Sequence, residues 1–204
     1  IKSNLSQKDG FVIIVMFWIV LSLAGSIPFY LSGMSPINAI FESMSGITTT
    51  GATVISNLSD LPESILFYRQ LFQWMGGMGL IVLAIAVMPL LGIGGGQIYK
   101  TEVPGAMGEQ RLTPRIKETA QALWLIYFGL TCACGILYYL NGMTVFEAIS
   151  HSMSTVAIGG FSIYNESIGY FNSISIELIC ICFMLLSAFS FALHYFALYK
   201  KKPF

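Results

Sequence analysis

The stretch "FESMSGITTTGATV", residues 41–54, sets three consecutive threonines against a glycine in a chain otherwise built for lipid. Of 204 residues, 55% are hydrophobic and 10% are charged, where an average soluble domain carries about 25% charged residues. So little charge leaves most of the chain nothing with which to face water, and a membrane protein is expected.

Charge-free intervals on either side make that expectation specific. No charged residue lies between Asp9 and Glu42, and "FVIIVMFWIVLSLAGSIPFY" (residues 11–30) supplies the roughly 20 apolar residues a helix needs to cross a bilayer. "LFQWMGGMGLIVLAIAVMPLL" (71–91) is the core of a second span that starts near Pro62. Residues 119–146 hold a third span, and residues 178–199 a fourth, closed by Lys200, Lys201 and Lys202. Two further uncharged segments, 43–59 and 148–165, are shorter and rich in Ser, Thr and Gly. Such residues bond their own backbone and permit unusual φ/ψ, which suits non-helical chain buried in protein or lining a wet cavity at membrane depth. They are read as re-entrant loops.

Nine of the ten Lys and Arg residues, all but Arg69, fall on one side of these spans, and the positive-inside tendency makes that side cytoplasmic. Both ends of the segment are then cytoplasmic and both loops open outward. On the outer side Glu42, Asp60, Glu63, Glu147, Glu166 and Glu177 face only Arg69. This imbalance either concentrates cations there or simply solvates the outer loops.

The chain repeats itself. "YLSGMSPINAIFESMSGITTTGAT" (30–53) aligns without a gap on "YLNGMTVFEAISHSMSTVAIGGFS" (139–162) at a constant offset of 109, with ten identities in twenty-four positions. Each copy sits between two spans in the same order. The architecture expected is therefore all-α, with two tandem membrane helix–pore loop–membrane helix units in parallel orientation. Their bounds are 1–98 and 119–204, joined by a cytoplasmic loop over 99–118.

Such loops can hold a cation. An ion leaving water must be offered rings of oxygen in place of its hydration shell, and backbone carbonyls can provide them. Turning successive carbonyls toward one axis needs a strained backbone, which glycine allows and which Thr and Ser tolerate while their hydroxyls satisfy neighbouring groups. "TTTGAT" and "AIGGFS" are segments of that kind. The preceding residues, 36–47 and 144–156, would be short pore helices whose negative C-terminal ends point inward and favour a cation.

"SMSGITTTGAT", "SMSTVAIGGFS" and "RQLFQWMGGMGLIVL" (69–83) resemble the first two pore repeats of the TrkH/KtrB superfamily of potassium transporters. The resemblance covers nearly the whole chain and implies a potassium-channel-like core with potassium as the transported ion. It implies that main-chain oxygens of Thr49, Thr50 and Gly51, and of Ile158, Gly159 and Gly160, hold the ion, with Gly51 and Gly160 lining the constriction. Thr48, Ala52, Thr53, Ala157, Phe161 and Ser162 would support these filters. A serine can replace the first-repeat glycine in relatives that admit sodium, so Gly51 points to potassium. Members carry four such repeats, whereas this chain has two, so a piece of a longer polypeptide is expected; two associating copies would be the other way to close a ring. The resemblance also implies a homodimer of the full-length protein in the inner membrane. A cytoplasmic ring of nucleotide-binding regulatory subunits (TrkA/KtrA-like) would dock on the loop 94–118, and no nucleic-acid partner is expected.

Other features have plainer readings. Cys132, Cys134, Cys180 and Cys182 form two C-x-C pairs, but all lie in apolar spans, where Cys packs as a small hydrophobe. His151 and His194 are read as structural hydrogen-bonding residues. "GIGGGQ" (92–97) lacks a preceding strand and a P-loop Lys, and reads as a flexible exit from the bilayer. The small residues of "WMGGMG" (74–79) let helices approach closely. Arg69, at the edge of a span, is read as a structural ion pair with Glu63 or Glu42. An enzyme or redox carrier would need paired intramembrane carboxylates, an H-E-x-x-H or haem-spaced histidines, and the sequence has none. A non-conducting structural or assembly subunit remains the competing class.

Overall fold

The structure, a computed structural model, describes residues 7–87 and 112–189. The glycine run 92–97, residues 94–111 of the connecting loop, His194 and Lys200 to Lys202 lie outside the described residues.

The order of elements follows the repeat. Helix α1 (Gln7–Leu31) is followed by α2 (Pro36–Ile47) and α3 (Glu63–Val87); then come α4 (Leu112–Leu140), α5 (Val145–Val156) and α6 (Ile174–Ala188). Short 3-10 turns at Leu58–Asp60 and Ser167–Phe171 precede α3 and α6. At about 1.5 Å of rise per residue, the 25-residue α1 and α3 exceed the roughly 30 Å hydrocarbon core of a bilayer. Ile14–Leu31 and Gln121–Leu140 are apolar enough throughout to cross one. Helix α4 begins at Leu112, before the expected 119, and ends at Leu140 rather than 146, because Gly142 breaks it. Helix α6 likewise starts at Ile174, ahead of 178.

Both repeats turn from the first long helix to the short one by the same device. Gly33 (φ 99°) and Gly142 (φ 105°) adopt the left-handed conformation. In each copy the next amide bonds back five residues, Met34 N to Phe29 O at 3.3 Å and Met143 N to Tyr138 O at 3.2 Å. This is the glycine-terminated helix end that satisfies orphan carbonyls. Two residues later Ser35 caps α2 through the Asn38 amide, with Pro36 at the first helical position, and Thr144 caps α5 in a reciprocal box with Glu147.

Helix α3 joins the two units. It packs against α2 of its own repeat and against α4 and α5 of the next. Its approach to α2 is so close that a Cβ at Gly76 would stand 2.0 Å from the Ile47 carbonyl oxygen, which is what the small residues of "WMGGMG" permit. Trp74, Met78, Tyr127, Cys134, Tyr138, Val156 and Phe183 share one buried cluster across this seam. Trp74 Nε1 donates to Thr131 Oγ1 and the Tyr127 hydroxyl donates to Trp74 O, each at 3.0 Å, so the polar ends of these aromatic side chains are satisfied where they are buried. A second cluster of Leu58, Leu66 and Ile163 holds the loops that follow α2 and α5 together. Those loops are also pinned by Asn165, which accepts from Leu58 N and donates to Asn57 Oδ1. The molecule is thus two tandem helix–pore loop–helix repeats packed through α3.

Candidate functional site

Helices α2 and α5 end in matching turns. The Thr50 amide donates to Ser45 O at 2.9 Å and the Gly159 amide to Ser154 O at 3.0 Å, the six-to-one bond of a helix end that normally has glycine just before the donor. Here that residue is Thr49 (φ 54°) in one repeat and Ile158 (φ 53°) in the other. A β-branched residue in the left-handed region is an outlier that costs of order 1–3 kcal/mol and persists only where surrounding structure enforces it. Gly51 (φ 76°) and Gly160 (φ 82°) return to positive φ two residues on, while Thr50 and Gly159 between them do not. In a regular strand successive carbonyls point to opposite sides; reversing the hand at alternate residues brings them toward the same side. Neither segment is helical beyond Thr49 or Ile158.

The two hairpins meet at Gly51. A Cβ placed there would lie 1.9 Å from the Gly159 carbonyl oxygen and 3.6 Å from the Gly160 Cα, so any side chain would collide with the neighbouring hairpin's main chain. Thr49, Thr50, Gly51, Ile158, Gly159 and Gly160 are therefore gathered in one place. Around Gly160 there is open space. Thr48, Ala52 and Thr53 on one side, and Ala157, Phe161 and Ser162 on the other, lead into and out of these turns.

Each hairpin is tied to its own pore helix at the same register. Glu42 and His151 are separated by the repeat offset, as are Thr53 and Ser162. The Thr53 hydroxyl donates to Glu42 Oε1 at 2.9 Å, and His151 Nε2 lies 3.0 Å from Ser162 Oγ. His151 Nδ1 is 2.9 Å from the Glu147 carbonyl. A carbonyl only accepts, so Nδ1 carries the proton and neutral Nε2 accepts from Ser162.

Arg69 crosses from one hairpin to the other. Its side chain is 1% exposed and that of Glu42 0%, with Nη2 at 2.7 Å from Glu42 Oε1. Nε donates to the same oxygen at 2.9 Å, Nη2 to Thr53 Oγ1 at 3.3 Å, and Nη1 to the Ser162 carbonyl at 3.0 Å. The guanidinium also stacks over Phe161 at 4.2 Å from the ring centroid. The partner is Glu42 rather than Glu63. Glu42 therefore does not belong with the carboxylates expected to face water, which leaves Asp60, Glu63, Glu147, Glu166 and Glu177 in that expected group.

Glu147 closes the N-terminal end of α5. The Thr144 amide donates to its Oε2 at 2.6 Å and the Tyr164 hydroxyl to its Oε1 at 2.5 Å. Partial burial works to raise its pKa, but the hydrogen bonds from Tyr164 and Thr144 outweigh it and hold the carboxyl below the usual range. Burial, followed by the bond to this carboxylate, pushes the Tyr164 phenol up.

Among the described residues no three His, Cys, Asp or Glu side chains stand together as metal ligands, and the four cysteines are free thiols. His151 is a structural hydrogen-bonding residue and Glu42 the partner of Arg69, as expected; what sequence reasoning did not give is that each also anchors its own hairpin. The signal was present, since the gap-free overlay sets two hydrogen-bonding side chains at one register of the pore helices.

The family profile described as TrkH, cation transport protein, matches residues 2–203. The chain is 56% identical over 199 residues to the Trk system potassium uptake protein TrkH of Halomonas elongata, covering 96% of this chain and 41% of that protein. It is 50% identical over 197 residues to the protein of the same name from Escherichia coli K12, covering 95% and 41%. The crystal structure of the potassium transporter TrkH from Vibrio parahaemolyticus superposes with a TM-score of 0.83 at 52% identity, over 98% of this chain and 40% of that one. The chain thus spans about two fifths of the length of the relatives it matches. With the profile aligned from one end to the other and both pore-loop units superposing on a solved relative, the chain belongs to the TrkH family of cation transport proteins.

Proposed function

We propose that this chain forms two of the repeats of a potassium uptake pathway in the inner membrane, and that potassium passes between its hairpins held by main-chain oxygens of Thr49, Thr50, Gly51, Ile158, Gly159 and Gly160. The observation that carries this reading is the doubled backbone pattern, positive φ at residues 49 and 51 and again at 158 and 160, with the two hairpins in contact at Gly51 and Gly159. That geometry suits a stack of carbonyls standing in for a hydration shell. Thr48, Ala52, Thr53, Ala157, Phe161 and Ser162 act as supports. The remaining oxygens of the ring come from further repeats of the polypeptide or from a second copy.

Transport is passive, driven by the membrane potential at about 2.3 kcal/mol per charge per 100 mV. Basic residues at both ends and in the connecting loop support a cytoplasmic location for those parts. The full-length protein works as a homodimer, and the loop 94–118 offers a docking surface to a cytoplasmic ring of nucleotide-binding subunits. The test is potassium flux into liposomes carrying the full-length protein, with Gly51 and Gly160 intact or replaced. Loss of potassium preference in both variants supports the filter, and an unaltered preference in both leaves a structural subunit as the reading.

A further inference from the structure

The two hairpins are not held in the same way at their midpoints. In the first repeat the pore-helix serine reaches its own hairpin directly, Ser45 Oγ donating to the Ala52 carbonyl at 2.5 Å. At the equivalent place in the second repeat a side chain from α3 stands between the two. Gln73 Oε1 accepts from Ser154 Oγ at 2.9 Å and from the Phe161 amide at 3.2 Å. Ser154 and Phe161 are Ser45 and Ala52 moved by the repeat offset, so Gln73 has taken over the link between pore helix and filter.

The same amide also explains a glycine. Gly159 does not have positive φ, so its backbone conformation alone does not require glycine, and Thr50 occupies the matching position in the first repeat. What excludes a side chain is Gln73: a Cβ at Gly159 would lie 2.1 Å from Gln73 Cδ and 2.5 Å from its Nε2. Gln73 is fully buried, and its Nε2 has no hydrogen-bond partner among the described residues. An orphaned buried donor is costly, and an apolar side chain of similar size would fill the seam without that cost. Packing therefore does not account for an amide here, whereas a fixed acceptor for Phe161 N, one residue beyond Gly160, does.

We infer that Gln73 is a positioning residue of the second filter, an amide wedge from the preceding repeat that fixes the main chain of Gly159 to Phe161 and through it the spacing of the carbonyls that select the ion. This rests on the filter reading above.

The test uses the full-length protein in liposomes and reads the potassium-to-sodium permeability ratio from reversal potentials, which does not depend on how many molecules insert. Gln73→Met keeps the bulk and removes the acceptor; the ratio is expected to fall about tenfold, as when one well-placed hydrogen bond is lost. Gly159→Ala is expected to cut potassium flux, and adding Gln73→Ala to it to restore a several-fold share by making room for the methyl group. Gly160→Ser serves as the reference. If Gly160→Ser lowers the ratio and Gln73→Met leaves it unchanged, the wedge is wrong and the filter stands. If neither moves the ratio, the filter reading itself falls. Should Gln73→Met fail to accumulate, the Gly159 pair decides, and no recovery in the double variant overturns the proposal.

Discussion

The guanidinium of Arg69 donates at 3.0 Å to the carbonyl of Ser162, a residue of the other repeat, while its remaining nitrogens hold Glu42 and Thr53 of its own. One buried cation thus couples the two hairpins. The first repeat's second long helix, α3, packs on the pore helix of the second repeat, so the polar side chains that locate the second hairpin come partly from the unit before it.

Removing one member of this buried pair leaves the other charged and uncompensated, which costs about 3–5 kcal/mol, whereas replacing both is often close to neutral. Arg69→Gln is therefore expected to lower the unfolding midpoint of the detergent-solubilised protein sharply. Arg69→Gln combined with Glu42→Gln should recover most of the loss. A double-mutant cycle on thermal unfolding checks both, and an Arg69→Gln protein of normal stability but without ion selectivity would show that the pair is not structural.

Gly51→Ser adds a side chain where a Cβ meets the Gly159 carbonyl oxygen at 1.9 Å, on a backbone at φ 76°. The hairpins must separate, and oxygens too far apart to replace the hydration shell let either ion keep water and so discriminate less between them. The potassium-to-sodium permeability ratio is expected to fall by roughly tenfold or more, the equivalent of about 1.4 kcal/mol of lost discrimination. Bi-ionic reversal potentials measure it.

At Gly76 a methyl group would press on the Ile47 carbonyl at 2.0 Å, with backbone on both sides and no flexible side chain to yield. Gly76→Ala should destabilise the protein by about 1–3 kcal/mol through overpacking, outweighing the helix-propensity gain of roughly 1 kcal/mol. Denaturant or thermal unfolding in detergent reads the difference, and equal or higher stability would contradict the close α2–α3 contact.

Because the Glu147 pKa is lowered in the folded protein, the carboxylate contributes stability that is fully present above its unfolded pKa, about 4.3. That contribution is lost as pH falls through the folded value. The difference in melting temperature between wild type and Glu147→Gln is expected to be constant from neutral pH down to about pH 5 and to close below about pH 4. A difference that widens on acidification would mean that the bonds from Thr144 and Tyr164 do not favour the charged form.

The sequence by itself determined the number of units, their order and their two pore helices, because span length, charge placement and a gap-free repeat are properties of neighbours along the chain. Helix α2 spans the expected 36–47 and α5 begins one residue after the expected 144. The bend at Thr49 and Ile158 was less legible, since β-branched residues disfavour positive φ and only the surrounding structure imposes it. Tertiary structure alone decided that Glu42 is buried beneath Arg69 and that Gln73 stands between Ser154 and Phe161. Those contacts join residues 27, 81 and 88 positions apart, and a sequence pattern records which side chains can pair but not which ones packing brings within reach.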